Sequence, residues 1–332
     1  MIEREENEAI LGGEVLGFEE QYENRLRPLS FTEYIGQDLI KDNLAVAMQA
    51  AKKREEPLDH LLLHGAPGLG KTTLAAIVAK EFGVNLRVTA GPALEKSGDL
   101  ASILSNLEAN DILFIDEIHR LKPIVEEVLY SAMEDFALDI VLGKGPAART
   151  VRIALPRFTL IGATTKLSMI SSPLRDRFGS VFKLQGYEPV EIQRILMRSS
   201  RILGVDLDDD LALELARSCR RTPRIANRLL RRVRDFADVH NDSRISRGIL
   251  NETLGALGID ELGLDQADRE ILRLMIDKFD GGPVGLNTLS AALNEEQATL
   301  EDIYEPFLIQ QGLLQRTPRG RVVTDLARSH VG

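Results

Sequence analysis

The sequence predicts an α/β protein in three parts: a helix-covered parallel sheet carrying a P-loop, a small all-helical domain, and a C-terminal winged helix. Three observations predict it. Gly65-Ala66-Pro67-Gly68-Leu69-Gly70-Lys71-Thr72 fits the pattern G-x-x-x-x-G-K-[ST] at every fixed position, between an apolar run and a helix-forming run. Strand-like and helix-like runs alternate up to about residue 187, then give way to helical patterning alone. Three further helical segments end in an arginine-bearing ribbon with a good turn at its centre.

Residues 1–24 read as an acidic, disordered tail, since Met1 to Glu23 carries eight Glu and one Arg. Residues 25–187 read as the large domain. Its strands are expected near His60–His64, Leu86–Val88, Ile112–Asp116, Phe158–Ala163 and Val181–Leu184, with the P-loop after the first and a helix over Thr73–Phe82 stopped by Gly83. A hairpin interrupts the alternation at about 137–156, turning at Gly143-Lys144-Gly145. Its apolar residues Ile140, Val141, Leu142, Val151 and Ile153 suit either an edge ribbon packed on its own domain or a protruding contact for a partner protein.

Residues 188–258 read as the small helical domain. Pro189 opens one helix, and Thr222-Pro223 opens another with Thr as N-cap. Ile225, Leu229, Val233 and Phe236 are expected to form the apolar face of that second helix, with arginines around the rest. Residues 259–332 read as the winged helix. Helices are expected over Gln266–Phe279, Asn287–Asn294 and Thr299–Gln311, the last kinked at Pro306. A ribbon of Leu313–Arg316 and Arg321–Thr324 then turns at Thr317-Pro318-Arg319-Gly320.

The 332 residues are 44% hydrophobic and hold one cysteine, Cys219, so no internal disulfide can form and a cytoplasmic home is expected. No run approaches the roughly 18 apolar residues of a membrane span. Five scattered histidines and one cysteine make a structural zinc site a poor reading. The net charge of −10 argues against nucleic acid coating the whole surface, but it leaves room for local basic patches. One such patch is Arg316, Arg319, Arg321 and Arg328 against the single acid Asp325.

The motifs point to a nucleoside triphosphate with Mg²⁺. Backbone N–H groups of the glycine loop and the helix start hold phosphates, Lys71 reaches the β- and γ-phosphates, and the Thr72 hydroxyl ligates Mg²⁺. Ile112-Leu113-Phe114-Ile115-Asp116-Glu117 is a buried strand ending in paired carboxylates. Asp116 suits Mg²⁺, directly or through water, and Glu117 suits the base that activates a water. Thr165, after the Phe158 strand, suits a hydrogen bond to the γ-phosphate or attacking water, or simply a cap on the next turn. Arg177 is a candidate arginine finger aimed at a neighbour's nucleotide, or else a surface ion pair. Arg224 is a candidate γ-phosphate sensor, or else part of a solvated helix face. Lys71, Asp116-Glu117, Thr165, Arg177 and Arg224 stand in the order of an AAA+ ATPase.

The chain resembles the RuvB family of AAA+ motors, which use ATP to move Holliday junctions. The resemblance rests on Leu26-Arg27-Pro28, Tyr34-Ile35-Gly36-Gln37, the P-loop, and Asp116 to Leu121. It also rests on Tyr130 to Phe136, Gly145-Pro146-Ala147-Ala148-Arg149, Ser172 to Phe178, Thr222 to Asn227, and Leu308 to Arg321. It implies a homohexameric ring around the duplex DNA arms of a four-way junction, acting in bacterial recombination and DNA repair with ATP and Mg²⁺. It further implies that Leu26, Arg27 and Tyr187 frame the adenine, and that Gly68, Gly70, Lys71, Thr72 and Thr73 bind phosphates. Glu134, Asp135 and Phe136 would line the site or the subunit interface. The hairpin would dock on RuvA, Arg316 and Arg321 would touch DNA, and RuvC would be a functional companion. Three positions depart from the family pattern: Ala66 stands where Pro is often found, Lys166 where Arg is usual, and Gln297 where a basic residue is common. A clamp-loader-like ATPase, a protein-directed AAA+ ATPase and a non-hydrolysing nucleotide switch are the competing classes.

Overall fold

The computed structural model describes residues 25–142, 149–240 and 244–331, with side chains described outside 140–150. The acidic tail, the Gly143-Lys144-Gly145 turn, the Gly145 to Ala148 part of the family motif, and the side chains of Ile140, Val141 and Leu142 lie outside the described residues. The chain divides into two compact units, Met1–Tyr187 and Glu188–Gly332.

The first unit runs α1 (Asp38–Arg54), β1 (Leu61–His64), α2 (Lys71–Phe82), β2 (Leu86–Ala90), α3 (Ser97–Ser105), β3 (Ile112–Asp116) and α4 (Pro123–Asp135). It continues through β4 (Ala137–Leu142), β5 (Arg149–Ala154), β6 (Thr159–Thr164), α5 (Ser172–Arg175) and β7 (Ser180–Lys183). Five strands form one parallel sheet in the order β2-β3-β6-β1-β7. The central strands β3 and β6 are buried along nearly their whole length, as apolar strands covered on both faces must be. The edge strands β2 and β7 mix half-buried and exposed positions. Leu62, Leu113, Ile115, Leu160 and Phe178 belong to one core cluster with residues of α3 and α4.

The inserted segment forms its own antiparallel pair, β4 with β5, separate from the main sheet. Its base is part of the domain: Leu138 and Leu155 are buried, and Leu155 N–H donates to Phe136 O at 2.7 Å. Arg152 clasps Asp135 at 2.7 Å. Farther out, Val151 and Ile153 are about two-fifths exposed, at 41% and 39%. The ribbon is therefore packed at its root, with Val151 and Ile153 accessible on one face and Asp139 and Arg152 on the other.

The second unit begins with α6 (Pro189–Leu203), α7 (Asp209–Arg217), α8 (Pro223–Val239) and α9 (Arg247–Ala256). Two local expectations change here. The buried face of α8 is Ala226, Leu229, Leu230, Val233 and Ala237, while Ile225 and Phe236 are only half-buried. Small alanines admit close packing that a count of large apolar residues overlooks. Thr222 is the N-cap residue of α8 as expected, but its side chain makes no capping hydrogen bond and its hydroxyl donates to Arg220 O at 2.9 Å.

The unit continues through α10 (Gln266–Phe279), α11 (Leu286–Leu293), α12 (Gln297–Thr299), α13 (Glu305–Gln310), β8 (Leu314–Thr317), β9 (Gly320–Val323) and α14 (Asp325–Val331). The expected helix over Thr299–Gln311 is present as one continuous helical run, Gln297 to Gln310. Its expected irregularity at Pro306 takes the form of a π segment over Leu300–Tyr304, since Pro306 has no N–H for an i−4 carbonyl. The closing helix α14 was not anticipated. Val284 bridges Arg321 and adds a third element to the wing. Gly320 has φ +137, and a Cβ there would lie 2.4 Å from Val284 O, so glycine is required at the ribbon turn.

Arg220 ties the α7–α8 turn to the start of α10. Its Nη2 reaches Asp265 at 2.6 Å and Asp268 at 2.5 Å, and its guanidinium lies over the Phe307 ring at 4.6 Å. Asp268 is completely buried. Burial pushes its carboxyl up to about 6, against the opposing pull of Arg220. A carboxyl raised above its ordinary 3.8 binds its proton more tightly when folded, so its contribution to stability declines as pH rises through that window. Arg220→Ala strands this carboxylate and is expected to cost about 3 kcal/mol in urea unfolding near neutral pH. The cost should shrink as pH falls toward about 6, because Asp268 without Arg220 takes up its proton at a higher pH than it does beside Arg220. A cost that does not change with pH would remove Asp268 from the explanation.

Candidate functional site

Strand β6 lies between β1 and β3, with His64 opposite Thr164 and Ile115 opposite Gly162. Because all three run parallel, the P-loop after β1, Asp116-Glu117 at the end of β3 and Thr164-Thr165 at the end of β6 emerge at one edge of the sheet. Ligands of open α/β sheets bind at this carboxyl edge.

The P-loop backbone needs its glycines. Gly65, Gly68 and Gly70 have φ of +148, +78 and +98. A Cβ on Gly65 would lie 2.6 Å from Leu184 O, and one on Gly70 would lie 2.8 Å from the Tyr34 hydroxyl. Helix α2 starts from Gly70 with no side-chain cap, so its first N–H groups are directed to the loop. Lys71 is buried, and its ammonium donates to Gly65 O at 2.8 Å and Ala66 O at 3.0 Å. Thr72 and Thr73 are half-buried on the first helical turn. This cradle fits an anionic phosphate chain by its backbone donors, its cation and its lack of side-chain bulk.

Tyr187 and Tyr34 are both buried, and their hydroxyls donate to Leu69 O at 3.3 and 3.4 Å. Burial raises the pKa of the Tyr34 phenol well above its ordinary value, keeping the O–H a donor. Tyr34 is a support of the P-loop that sequence reasoning missed. It stands in the Tyr34-Ile35-Gly36-Gln37 motif, but an isolated tyrosine carries no periodic signal. Gln37 adds a brace to the strand-exit loop: its amide donates to Gln185 O at 2.7 Å and its carbonyl accepts from Gln185 N at 3.2 Å. Leu26 is buried and Arg27 half-buried at the start of the described chain.

Asp116 and Glu117 sit at the end of β3. Asp116 Oδ1 accepts from Glu117 N–H at 3.0 Å. Glu117 adopts a left-handed conformation, φ 47° and ψ 46°, which costs a non-glycine residue roughly 1–3 kcal/mol. Gly91 makes room for this bend: a Cβ there would lie 2.5 Å from Glu117 O. No sequence motif marks Gly91, because the approach is purely tertiary. Thr165 Oγ1 donates to Glu117 Oε2 at 3.1 Å. The hydroxyl expected to meet a phosphate or water is thus held on the carboxylate.

Arg177 lies against α4. Its guanidinium stacks over the Tyr130 ring at 4.4 Å, Nη2 meets Glu134 at 3.1 Å, and Nη1 donates to Pro173 O at 2.7 Å. Tyr130 is fixed in turn by Glu126 at 2.6 Å and Ser171 at 3.1 Å. The three residues Glu134, Asp135 and Phe136 divide among different partners. Glu134 meets Arg177, Asp135 holds the hairpin, and Phe136 packs edge-on to Phe158 with 5.8 Å between centroids.

Arg224 lies exposed on the first turn of α8 in the second unit. The two wing arginines differ sharply. The Arg316 side chain is 57% exposed and reaches Glu301 at 2.6 Å. Arg321 is 8% exposed, and Glu305 holds it through two bonds, Nε at 3.0 Å and Nη2 at 2.8 Å. The two arginines expected to touch DNA therefore differ in how much of their charge faces solvent, and Arg321 faces Glu305 from α13.

A family model described as the Holliday junction DNA helicase RuvB P-loop domain matches residues 26–184. The RuvB AAA lid domain matches residues 187–260, and the RuvB C-terminal winged helix domain matches residues 261–332. Among solved structures, the RuvB Holliday junction branch migration motor of Thermotoga maritima is 49% identical, covering 92% of this chain and 98% of that chain with a TM-score of 0.84. A point mutant of the same Thermotoga protein matches at 50% identity, with the same coverage and TM-score. The ORC2 protein of Aeropyrum pernix, in its ADPNP and ADP complexes, is 16% identical, covers 85% of this chain and 87% of its own, and has a TM-score of 0.55, a likeness of fold alone. Three RuvB domain models in series and a half-identical RuvB structure over nearly the full length show that this chain belongs to the RuvB family of AAA+ proteins.

Proposed function

We propose that this chain is an ATP-driven motor that moves Holliday junctions by translocating the duplex arms. One observation carries the reading: a P-loop, an Asp-Glu pair and a Thr pair share one carboxyl edge of the sheet in a chain that ends in a RuvB winged helix. ATP supplies the phosphoanhydride bond whose hydrolysis drives movement. Gly68, Gly70, Lys71, Thr72 and Thr73 hold its phosphates. Among the described residues no three His, Cys, Asp or Glu converge as a metal cage. Thr72 and Asp116 would hold Mg²⁺, which would neutralise charge on the phosphates. Glu117 takes the proton of the attacking water. Leu26, Arg27 and Tyr187 border the adenine, and Arg224 answers the γ-phosphate from the lid.

The working form is a homohexamer in which Arg177 acts on the neighbour's nucleotide. Its seat beside Glu134 supports a role for the Glu134 to Phe136 segment at the subunit interface. The accessible apolar residues Val151 and Ile153 support hairpin docking on RuvA, and RuvC completes the junction-processing set. The domains run 25–187 with the hairpin inserted, 188–258 and 259–332. Among the described residues no helix is long and apolar enough to cross a membrane. The motor works in the cytoplasm. Arg316 touches DNA phosphates, and Arg321 keeps the wing in shape.

The decisive experiment is ATP-dependent dissociation of a synthetic four-way junction, with and without RuvA. Partner-dependent strand separation that disappears in Lys71→Ala supports the motor. Hydrolysis with no movement of the junction rejects it.

Arg177→Ala should retain nucleotide binding while losing about 10³- to 10⁵-fold in turnover. Mixing it with Lys71→Ala should restore part of the hydrolysis, because each variant supplies what the other lacks across the shared interface. No restoration in mixed rings would rule out action in trans. Gly91→Ala should push Glu117 aside and lower kcat about 10-fold or more with nucleotide affinity kept. An unchanged kcat would show that the approach at 2.5 Å relaxes without moving the carboxylate.

Arg316→Glu should reduce DNA stimulation and lower the salt slope of DNA binding by about 1, with an unchanged melting temperature. Arg321→Ala should instead destabilise the second unit by about 3 kcal/mol in urea unfolding. Equal effects on DNA binding with equal stability would put both arginines on the DNA.

A further inference from the structure

His119 is used by nothing above, yet it lies inside the reacting group. It follows Glu117 on the short turn Ile118–Arg120, and its side chain is only 6% exposed. Its Nδ1 lies 2.9 Å from Thr164 Oγ1 and 3.1 Å from Glu117 Oε2. The same Glu117 oxygen accepts from Thr165 Oγ1 at 3.1 Å. Thr164 is completely buried, and its hydroxyl oxygen accepts the Lys166 N–H at 2.9 Å.

The hydrogen bookkeeping selects one form of the ring. An ionised carboxylate oxygen only accepts, so a bare Nδ1 beside it would set lone pair against lone pair. Nδ1 must carry the hydrogen. The Thr164 oxygen has a second lone pair beyond the one used by Lys166, so Nδ1–H can be shared between Thr164 and Glu117. Burial lowers the pKa of the His119 ring although Glu117 pulls the other way, which favours the neutral ring; its contacts then put the hydrogen on Nδ1.

We propose that His119 is a positioning residue for Glu117, whose Nδ1–H, together with the Thr165 hydroxyl, fixes the Glu117 carboxylate to the end of β6. This rests on the reading of Glu117 as the base that activates water. Two side chains on adjacent strand ends then act as one unit. The left-handed bend at Glu117 aims the backbone, and His119 with Thr165 fixes the side chain. A displacement of Thr164-Thr165 moves the carboxylate with it, so contact at the phosphate-facing end of β6 and alignment of the base are coupled through hydrogen bonds.

The test uses the full-length chain with His119→Ala, His119→Asn and Glu117→Gln. It measures steady-state ATP hydrolysis, affinity for a fluorescent ATP analogue, melting temperature, and ¹⁵N spectra of the histidine rings. His119→Ala should lower kcat roughly 10- to 100-fold with KM within about 2-fold, as expected when alignment of a base is lost and binding is kept. Asparagine puts an N–H near the place of Nδ1, so His119→Asn should recover most of that loss. The His119 ring in the wild-type chain should be protonated at Nδ1 and bare at Nε2.

Wild-type kcat in His119→Ala would overturn the proposal. So would a loss that Asn does not recover at an unchanged melting temperature, or a ring protonated at Nε2 alone. If His119→Ala melts early, the Asn variant and the ring spectrum decide. Glu117→Gln separates the two levels: turnover retained there removes the base itself and this proposal with it, whereas turnover lost there but kept in His119→Ala removes only His119.

Discussion

The parallel pairing of β6 with both β1 and β3 is the constraint on which the rest of the site depends. Backbone groups of a buried strand have no water, so they must find partners in the ladder. β6 is buried at all six positions, and both of its neighbours are apolar. A slip of one residue would turn buried side chains to the opposite face of the sheet. With the register set, Gly65, Asp116 and Thr165 must leave the sheet side by side. The Gly65 N–H even continues the ladder to Thr164 O at 3.2 Å. The site is thus a property of strand ends, and the loops only elaborate it.

Those loops concentrate backbone cost where the chemistry is. The P-loop spends glycines, and Glu117 accepts a left-handed conformation that its side chain disfavours. Packing from outside the motif keeps both in place. Two buried tyrosines hold Leu69 O, and Gly91 leaves room for the Glu117 carbonyl. Such strain persists only where several independent contacts agree on it.

The second unit uses arginine in two opposing ways. Arg220 and Arg321 are drawn inward, each paired with carboxylates and, for Arg220, stacked on an aromatic ring. Buried pairs of this kind add little net stability, but losing one partner is costly because the other charge remains in the dry interior. Arg224 and Arg316 stay exposed. A count of basic residues in the C-terminal ribbon therefore overstates the charge that the wing can offer a phosphate backbone.

By itself the sequence determined the alternation of strands and helices in the first domain, the five parallel strands to within a residue or two, the hairpin, the three-part fold and the chemical motifs. These are local or periodic features. A glycine pattern, an apolar run ending in Asp-Glu, and a Pro-Arg-Gly turn each carry their physical reason within a few residues. Tertiary structure decided what long-range contacts decide. It set the strand order, put Tyr34 under the P-loop and Gly91 against Glu117, and gave the Thr165 hydroxyl to a carboxylate. It also buried Arg321 behind Glu305, brought Ala226, Leu230 and Ala237 into the packed face of α8 beside Leu229 and Val233, and gave the helix a π segment before Pro306. No local pattern encodes these outcomes, because hydrogen bonding and burial depend on which distant group arrives next to a residue once the chain has packed.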